Sequence, residues 1–141
     1  MKALIINGSP HANGTTRRAL DEVAQELQNN GVETEIMTIG NKAIRGCIAC
    51  WRCDGRCRAF DDEVNQALAV MEQCDALVLG TPVYFASPNG TMLSFLDRMF
   101  SAGKDEAFAG KPAACVAVAR RAGTTVSLDA LAKYPAIRAM P

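Results

Sequence analysis

The sequence predicts an α/β fold, a doubly wound parallel sheet with helices on both faces. Strand-like apolar runs alternate along the chain with segments whose apolar residues recur at helical spacing. The composition, 49% apolar and 21% charged, is that of an ordinary globular protein. A length of 141 residues suits one domain with one hydrophobic core. We therefore expect residues 1–141 to form a single domain.

Four strands are predicted where short apolar or alternating runs end at turn residues. They span residues 3–6, 32–39, 76–81 and 113–119. The fourth of them would leave an exposed apolar edge, which is an aggregation hazard unless something covers it. We therefore expect that a C-terminal βα unit is absent from this chain or that a partner subunit covers the edge.

Four helices are predicted between and after the strands. Asp61 and Asp62 offer an N-cap to the second helix, and the fourth is expected over 124–134, ending before Pro135. On the third helix, the pair Asp97-Arg98 is interpreted as a surface ion pair or a packing contact. The apolar stripes of the first three helices are Leu20, Val23, Ala24 and Leu27, then Val64, Leu68 and Met71, then Met92, Phe95, Leu96 and Met99.

Charge and hydropathy exclude some classes of protein. Lys and Arg number 15, as do Asp and Glu, so the chain lacks the basic surplus of a dedicated nucleic-acid binder. No apolar run approaches the roughly 20 residues that span a bilayer, and the N-terminus turns too early for a signal peptide. We expect a cytoplasmic protein without a disulfide framework. The isolated Cys74 and Cys115 are predicted to be small buried hydrophobes.

A loop rich in hydroxyl groups follows the first strand, from Gly8 to Thr16, and leads into a helix. Backbone amides and the dipole at a helix N-terminus favour an anion. The loop lacks the lysine of a nucleotide triphosphatase and the glycine pattern of a dinucleotide fold, so it suits one phosphomonoester. A plain βα turn with Thr15 as N-cap remains equally open here.

A second loop, Pro82 to Pro88, follows the third strand at the same predicted sheet edge. Its Tyr84 and Phe85 offer flat apolar faces. Aromatic residues alone favour packing against a neighbouring helix or subunit. A phosphate-type loop and an aromatic loop at one edge together favour a mononucleotide with a large ring.

Residues 41–60 show no periodicity, and a loop of this length is usually functional or disordered. It contains the pattern C-x2-C-x2-C-x3-C, a spacing close to a ferredoxin run that suits a [4Fe–4S] cluster. Structural zinc is less favoured because its C-x-x-C pairs usually lie well apart. Free or reversibly oxidised thiols remain open. Trp51, within the pattern, is expected to pack the loop onto the body or to stack near a cofactor. The candidate ligands are Cys47, Cys50, Cys53 and Cys57.

Together these segments resemble the NAD(P)H-dependent FMN reductases, and within them the iron–sulfur flavoproteins. The motifs concerned are Gly8-Ser9-Pro10 with Asn13-Gly14-Thr15-Thr16, the cysteine loop ending in Asp61-Asp62, and Thr81-Pro82-Val83-Tyr84-Phe85 leading to Leu96-Asp97-Arg98. The resemblance implies a flavodoxin-like sheet of order 2-1-3-4, without a fifth strand in this chain. It also implies FMN as cofactor and a homodimer or homotetramer.

The resemblance also assigns residues to the cofactor. The FMN phosphate and ribityl region would contact Ser9, His11, Asn13, Thr15 and Thr16. The isoalloxazine would contact Pro82, Val83, Tyr84 and Phe85. A third flavin loop would consist of Arg120, Arg121 and Gly123.

The expected function is an FMN-dependent oxidoreductase that takes electrons from NAD(P)H and passes them to an acceptor, through a [4Fe–4S] cluster if one is present. No catalytic side chain is nominated, because the cofactor carries the chemistry. The alternatives are a non-enzymatic flavin and iron–sulfur electron carrier and a thiol or metal redox sensor. The expected partners are the pyridine nucleotide and an electron acceptor, with no nucleic acid and no membrane.

Overall fold

The computed structural model describes residues 1–141, and it confirms the predicted alternation of strands and helices. The strands are β1 (Lys2–Asn7), β2 (Glu33–Thr38), β3 (Ala76–Tyr84), β4 (Ser87–Pro88) and β5 (Ala113–Val118). The helices are α1 (Thr15–Asn29), α2 (Glu63–Met71), α3 (Gly90–Ala102) and α4 (Thr124–Ile137). None of these helices is both long and apolar enough to cross a bilayer.

The sheet has four parallel strands in the order β2-β1-β3-β5. Central β1 pairs on both sides, so that Ile5 lies between Ile36 of β2 and Val78 of β3. Because β5 is the fourth of the strands predicted from the sequence, the predicted order 2-1-3-4 is confirmed. The additional β4 is a two-residue strand that pairs antiparallel with the end of β3.

Helices cover both faces of the sheet, as a doubly wound sheet requires. Successive residues of a strand point to opposite faces, and Leu4 and Ile6 therefore belong to one core cluster while Ile5 belongs to the other. The larger cluster packs the predicted stripes of α2 and α3 against the sheet. The smaller cluster packs Leu20 and Ala24 of α1 against the opposite face.

The structure corrects the third strand and the loop after it. The strand was predicted to end at Thr81, but β3 continues to Tyr84 and turns back through β4 as a hairpin. The prediction failed because Pro82 resembles a strand terminator. Its position is tolerated because Pro82 still pairs with Val118 of β5, and the first hairpin pair, between Val83 and Pro88, follows at once.

The end of α4 also differs from the prediction. The helix was expected to stop before Pro135, yet it continues to Ile137 with Pro135 buried inside it. A proline in the last turn removes only one amide donor. The turn is held by Arg138, whose guanidinium donates to the carbonyls of Phe100 and Gly103 at the end of α3.

The edge strand β5 is only partly covered, as is β2 at the opposite edge of the sheet. It pairs with β3 on one side only, and on its other side the amide of Ala113 donates to the carbonyl of Pro141 at 2.8 Å.

Cys74 is buried as predicted, whereas Cys115 of β5 is only half-buried. The prediction for Cys115 was wrong because an edge strand has fewer neighbours to cover its side chains.

Candidate functional site

Three loops meet at one edge of the sheet, because β1, β3 and β5 are parallel and their carboxyl ends coincide. The side-chain amide of Asn89 donates to the carbonyl of Gly8 at 2.6 Å and joins the first loop to the second. Gly123 of the third loop packs so closely on the second that a Cβ there would lie 2.5 Å from Cα of Ala86. The predicted juxtaposition of the first two loops is therefore present.

The first loop ends in a helix N-terminus with free donors. No side chain caps α1 at Gly14, and the amides of Thr15, Thr16 and Arg17 make no hydrogen bond within the chain. Thr15 is therefore not the N-cap that the plain-turn interpretation assigned to it, because Gly14 occupies that position. Amides at the start of a 15-residue helix, aligned with its dipole, form a site suited to an anion.

The polar residues of the first loop have two different environments. Ser9 is buried, and its hydroxyl accepts a hydrogen bond from the amide of His11 at 3.2 Å, so it shapes the turn. Thr16 is also buried at the first turn of α1. His11, Asn13 and Thr15 are exposed and are free to contact a ligand.

Gly40, two residues after the end of β2, packs against the backbone of the first loop and was missed by sequence reasoning. A Cβ at Gly40 would lie 2.2 Å from the carbonyl oxygen of Gly8 and 2.5 Å from the nitrogen of Pro10. Only glycine allows the two backbones to approach so closely. The sequence signal for this contact was a glycine directly after the predicted second strand. That signal identifies no contact unless one knows that β2 lies beside β1.

The second loop presents its aromatic residues through a strained hairpin. Phe85 and Ala86 have φ angles of 51° and 59°, the left-handed region that L-residues rarely adopt in succession. Two positive φ values at the central positions belong to a turn that favours Asn-Gly. The ring of Phe85 is fully exposed, so it does not pack on a neighbouring helix of the chain, and Tyr84 is 45% exposed. Strain of this kind is typical of functional sites.

The third loop, after β5, places Gly123 at the N-cap of α4 with a φ of 95°. No side chain caps this helix either. Arg120 and Arg121 are exposed next to it and make no ion pair with a carboxylate. The loop therefore adds positive charge and a second free helix N-terminus to the same edge.

A second feature is a cavity of about 230 Å³ in the cysteine loop. All four cysteines of the motif line this cavity, together with Arg98 and Ser101 of α3. Their burial increases along the chain, from exposed Cys47 through half-buried Cys50 and Cys53 to Cys57 at 7% exposure. As they stand, no three His, Cys, Asp or Glu side chains form a group that would hold a metal ion.

Two of the four thiols are biased towards the thiolate. The pKa of Cys50 is lowered, first by the backbone amide of Arg52 and then by its side chain. Burial acts to raise the pKa of Cys57, but donors from Arg98 and two nearby backbone amides outweigh it and hold the pKa below its ordinary value. Burial raises the pKa of Cys53. Thiolates are the form that binds metals and attacks disulfides.

Arg98 is a buried cation in the wall of the cysteine cavity, with 1% of its surface exposed. Its guanidinium donates to both carboxylate oxygens of Asp62 at 2.6 and 2.9 Å. It also donates to Sγ of Cys57 at 3.4 Å and to the carbonyls of Phe60 and Arg45 at 3.2 and 3.4 Å. One side chain thus contacts Arg45 near the start of the cysteine loop and Cys57, Phe60 and Asp62 at its end.

Of the two interpretations of Asp97-Arg98, a surface ion pair or a packing contact, the surface ion pair is wrong. Asp97 instead accepts a hydrogen bond from the hydroxyl of Tyr134 at 2.6 Å, while Arg98 turns inward. The available signal was the helical position of Arg98, three residues after Phe95 on the buried stripe.

Trp51, expected to pack the loop onto the body, is 93% exposed and does not do so.

Comparison with known proteins gives both family and fold. A family profile described as NADPH-dependent FMN reductase matches residues 1–141. An iron–sulfur flavoprotein of Archaeoglobus fulgidus is 36% identical over 113 residues, which are 79% of this chain and 51% of that protein. The chain spans about half the length of the curated relatives it matches.

Solved structures resemble this one at low sequence identity. RosB, crystallised with 8-demethyl-8-formylriboflavin-5′-phosphate, has a TM-score of 0.81 and 18% identity, covering 100% of this chain and 61% of that chain. A flavodoxin from the domain Archaea has a TM-score of 0.67 and 13% identity, covering 100% and 77%. These likenesses confirm the flavodoxin-like fold.

Proposed function

Because the chain belongs to the NADPH-dependent FMN reductase family, we propose that it binds FMN where its three loops meet. The protein of which it is the whole or a part is proposed to be an oxidoreductase that takes electrons from NAD(P)H. FMN, when bound, accepts a hydride and releases electrons, so the protein has to bind, orient and shield it.

The observation that carries this proposal is the set of free amides at Thr15, Thr16 and Arg17. They suit the phosphate of a mononucleotide because an anion would satisfy the donors and the helix dipole together. The remaining roles follow by position in the three loops. We assign the phosphate and ribityl contacts to Ser9, His11, Asn13, Thr15 and Thr16, the ring contacts to Pro82, Val83, Tyr84 and Phe85, and the third loop to Arg120, Arg121 and Gly123.

We further propose that the cysteine loop holds a [4Fe–4S] cluster. The donor set fits, because four thiols line one cavity and a cubane bonds each thiolate to a different iron. A single tetrahedral zinc would require the sulfurs to converge on one point about 2.3 Å from each. The loop has to draw its sulfurs together to bind either group. The iron–sulfur flavoproteins among the relatives support the cluster.

The first experiment is an absorption spectrum of protein purified without oxygen, combined with iron and acid-labile sulfide assays. Flavin bands with about four irons per chain would support both proposals. Flavin bands without iron would leave the FMN proposal standing and reduce the cysteine loop to thiol chemistry. Protein with no flavin and no affinity for added FMN would contradict the main proposal.

Steady-state oxidation of NADH and NADPH separates an enzyme from an electron carrier. We expect the FMN-loaded protein to oxidise at least one of the two nucleotides with an artificial acceptor. Flavin that is reduced chemically but not by either nucleotide would indicate the carrier instead. Cytoplasmic residence, a homodimer or homotetramer and the single domain stay predictions from the sequence.

A further inference from the structure

We propose that Cys57 is the preorganised ligand of the cysteine loop, and that Arg98 and Asn65 are the positioning residues that hold it before any metal binds. This inference rests on the proposed cluster. The structure makes Cys57 the best-held of the four cysteines.

Asn65 holds the backbone of Cys57 on both sides. Its side-chain oxygen accepts from the amide of Cys57 at 2.7 Å, and its side-chain nitrogen donates to the carbonyl of Cys57 at 3.1 Å. The same nitrogen reaches the carbonyl of Phe60 at 3.2 Å and the carboxylate of Asp61 at 2.9 Å. Because Asn65 lies on α2 and is itself buried, the position of Cys57 is tied to a helix.

Arg98 holds the sulfur of Cys57 from the other side, with Nε at 3.4 Å from Sγ. The guanidinium is oriented by Asp62, whose carboxylate also accepts from the amide of Val64 and so caps α2. The sulfur is thus fixed between α2 and α3. A hydrogen bond from a buried cation to a ligand sulfur also favours the more negative, reduced state of a cluster.

The other three cysteines lie on a segment without such support. Cys47 is exposed, and the backbone between the cysteines passes through positive φ angles of 48° at Ala49 and 56° at Trp51. No side chain outside the loop donates to their sulfurs in the structure. We infer that the segment from Cys47 to Cys53 closes onto a site already defined by Cys57 and Arg98.

The test uses the double variant Arg98→Gln with Asp62→Asn. Removing both charges leaves no unpaired carboxylate, and Asn preserves the cap of α2. Arg138→Gln is the matched control, because Arg138 also pairs with a carboxylate and donates to carbonyls at the C-terminal end of α3. In anaerobically reconstituted protein we expect the double variant to bind its iron roughly 10- to 100-fold more weakly, as measured by competition with a chelator. We also expect its reduction potential to fall.

A second measurement tests whether Arg98 positions Cys57 in protein that contains no cluster. In the metal-free protein, trypsin cleavage after Arg56 and Arg58, which flank Cys57, should be several-fold faster in the double variant than in wild type or Arg138→Gln. Unchanged iron affinity and potential, or unchanged cleavage, would overturn the positioning role. Wild-type protein that takes up no iron would overturn the proposed cluster alone, and the cleavage rates would then decide whether Arg98 positions Cys57.

Discussion

Asn89 joins the first loop to the second across 81 positions of the chain. Its amide nitrogen donates to the carbonyl of Gly8 at 2.6 Å, and its oxygen caps α3 by accepting from the amide of Met92 at 3.2 Å. The side chain is 4% exposed, so neither bond has water as a ready substitute. One residue therefore sets both the start of α3 and the position of the proposed phosphate loop.

Asn89→Asp separates these two roles. Aspartate caps a helix as well as asparagine does, but it has no proton to donate to Gly8 and places two oxygens in contact. We expect a loss of about 1–3 kcal/mol in the free energy of unfolding and a weaker affinity for FMN, measured by urea unfolding and by flavin fluorescence titration. The exposed Asn29→Asp is the control. Equal behaviour of the two variants would show that the contact with Gly8 is dispensable.

Phe85→Asn removes the ring while relieving the backbone. Asparagine tolerates the left-handed region, so we expect stability to rise by up to about 1 kcal/mol in thermal unfolding without FMN. Affinity for FMN should fall about fivefold, because the exposed ring offers a stacking face worth roughly 1 kcal/mol. Phe85→Tyr keeps the ring and should retain the affinity. An unchanged affinity in Phe85→Asn would place the flavin ring elsewhere.

Gly123→Ala tests how closely the third loop approaches the second. A Cβ at Gly123 would lie 2.5 Å from Cα of Ala86, at a φ of 95°. Gly31 has a similar φ of 77° with open space around it, so Gly31→Ala carries the backbone strain without the clash.

We expect Gly31→Ala to cost about 1 kcal/mol of stability and Gly123→Ala to cost more, with weaker FMN binding only in the latter. The measurements are chemical unfolding and flavin titration. If both variants lose the same stability and both bind FMN normally, the contact between Gly123 and Ala86 does not shape the site.

Tyr134 should make stability fall at alkaline pH. Burial and the hydrogen bond to Asp97 raise the pKa of Tyr134 well above its ordinary value. The unfolded chain therefore releases this proton above about pH 10, whereas the folded chain retains it, so stability is present below that pH and is lost as the pH rises.

In Tyr134→Phe we expect a loss of about 1 kcal/mol at neutral pH and a flatter dependence above pH 10, measured by urea unfolding at several pH values. The matched control is Tyr84→Phe, which removes a hydroxyl from the exposed hairpin. If Tyr134→Phe and wild type lose stability in parallel above pH 10, another group governs the alkaline transition.

The order of elements, the N-cap at Asp62 and the inward stripes of α2 and α3 were predictable from sequence. These features depend on residues within one or two helical turns or on apolar periodicity, and Val64, Phe95 and Met99 are accordingly buried as predicted. The coincidence of the first two loops was also predictable, because parallel strands bring their carboxyl ends to one edge. The resemblance to a known family added the prediction that the cofactor is FMN.

Only the tertiary structure decided which residues support the site. Gly40 touches Gly8, Asn89 binds Gly8 and Arg98 binds Asp62, each across at least 32 positions of the chain, and no local pattern encodes such contacts. Arg98 shows the reason most clearly. Its position on the apolar stripe placed it inside the protein, but whether a buried charge is tolerated depends on finding an opposite charge and carbonyl oxygens in the folded loop.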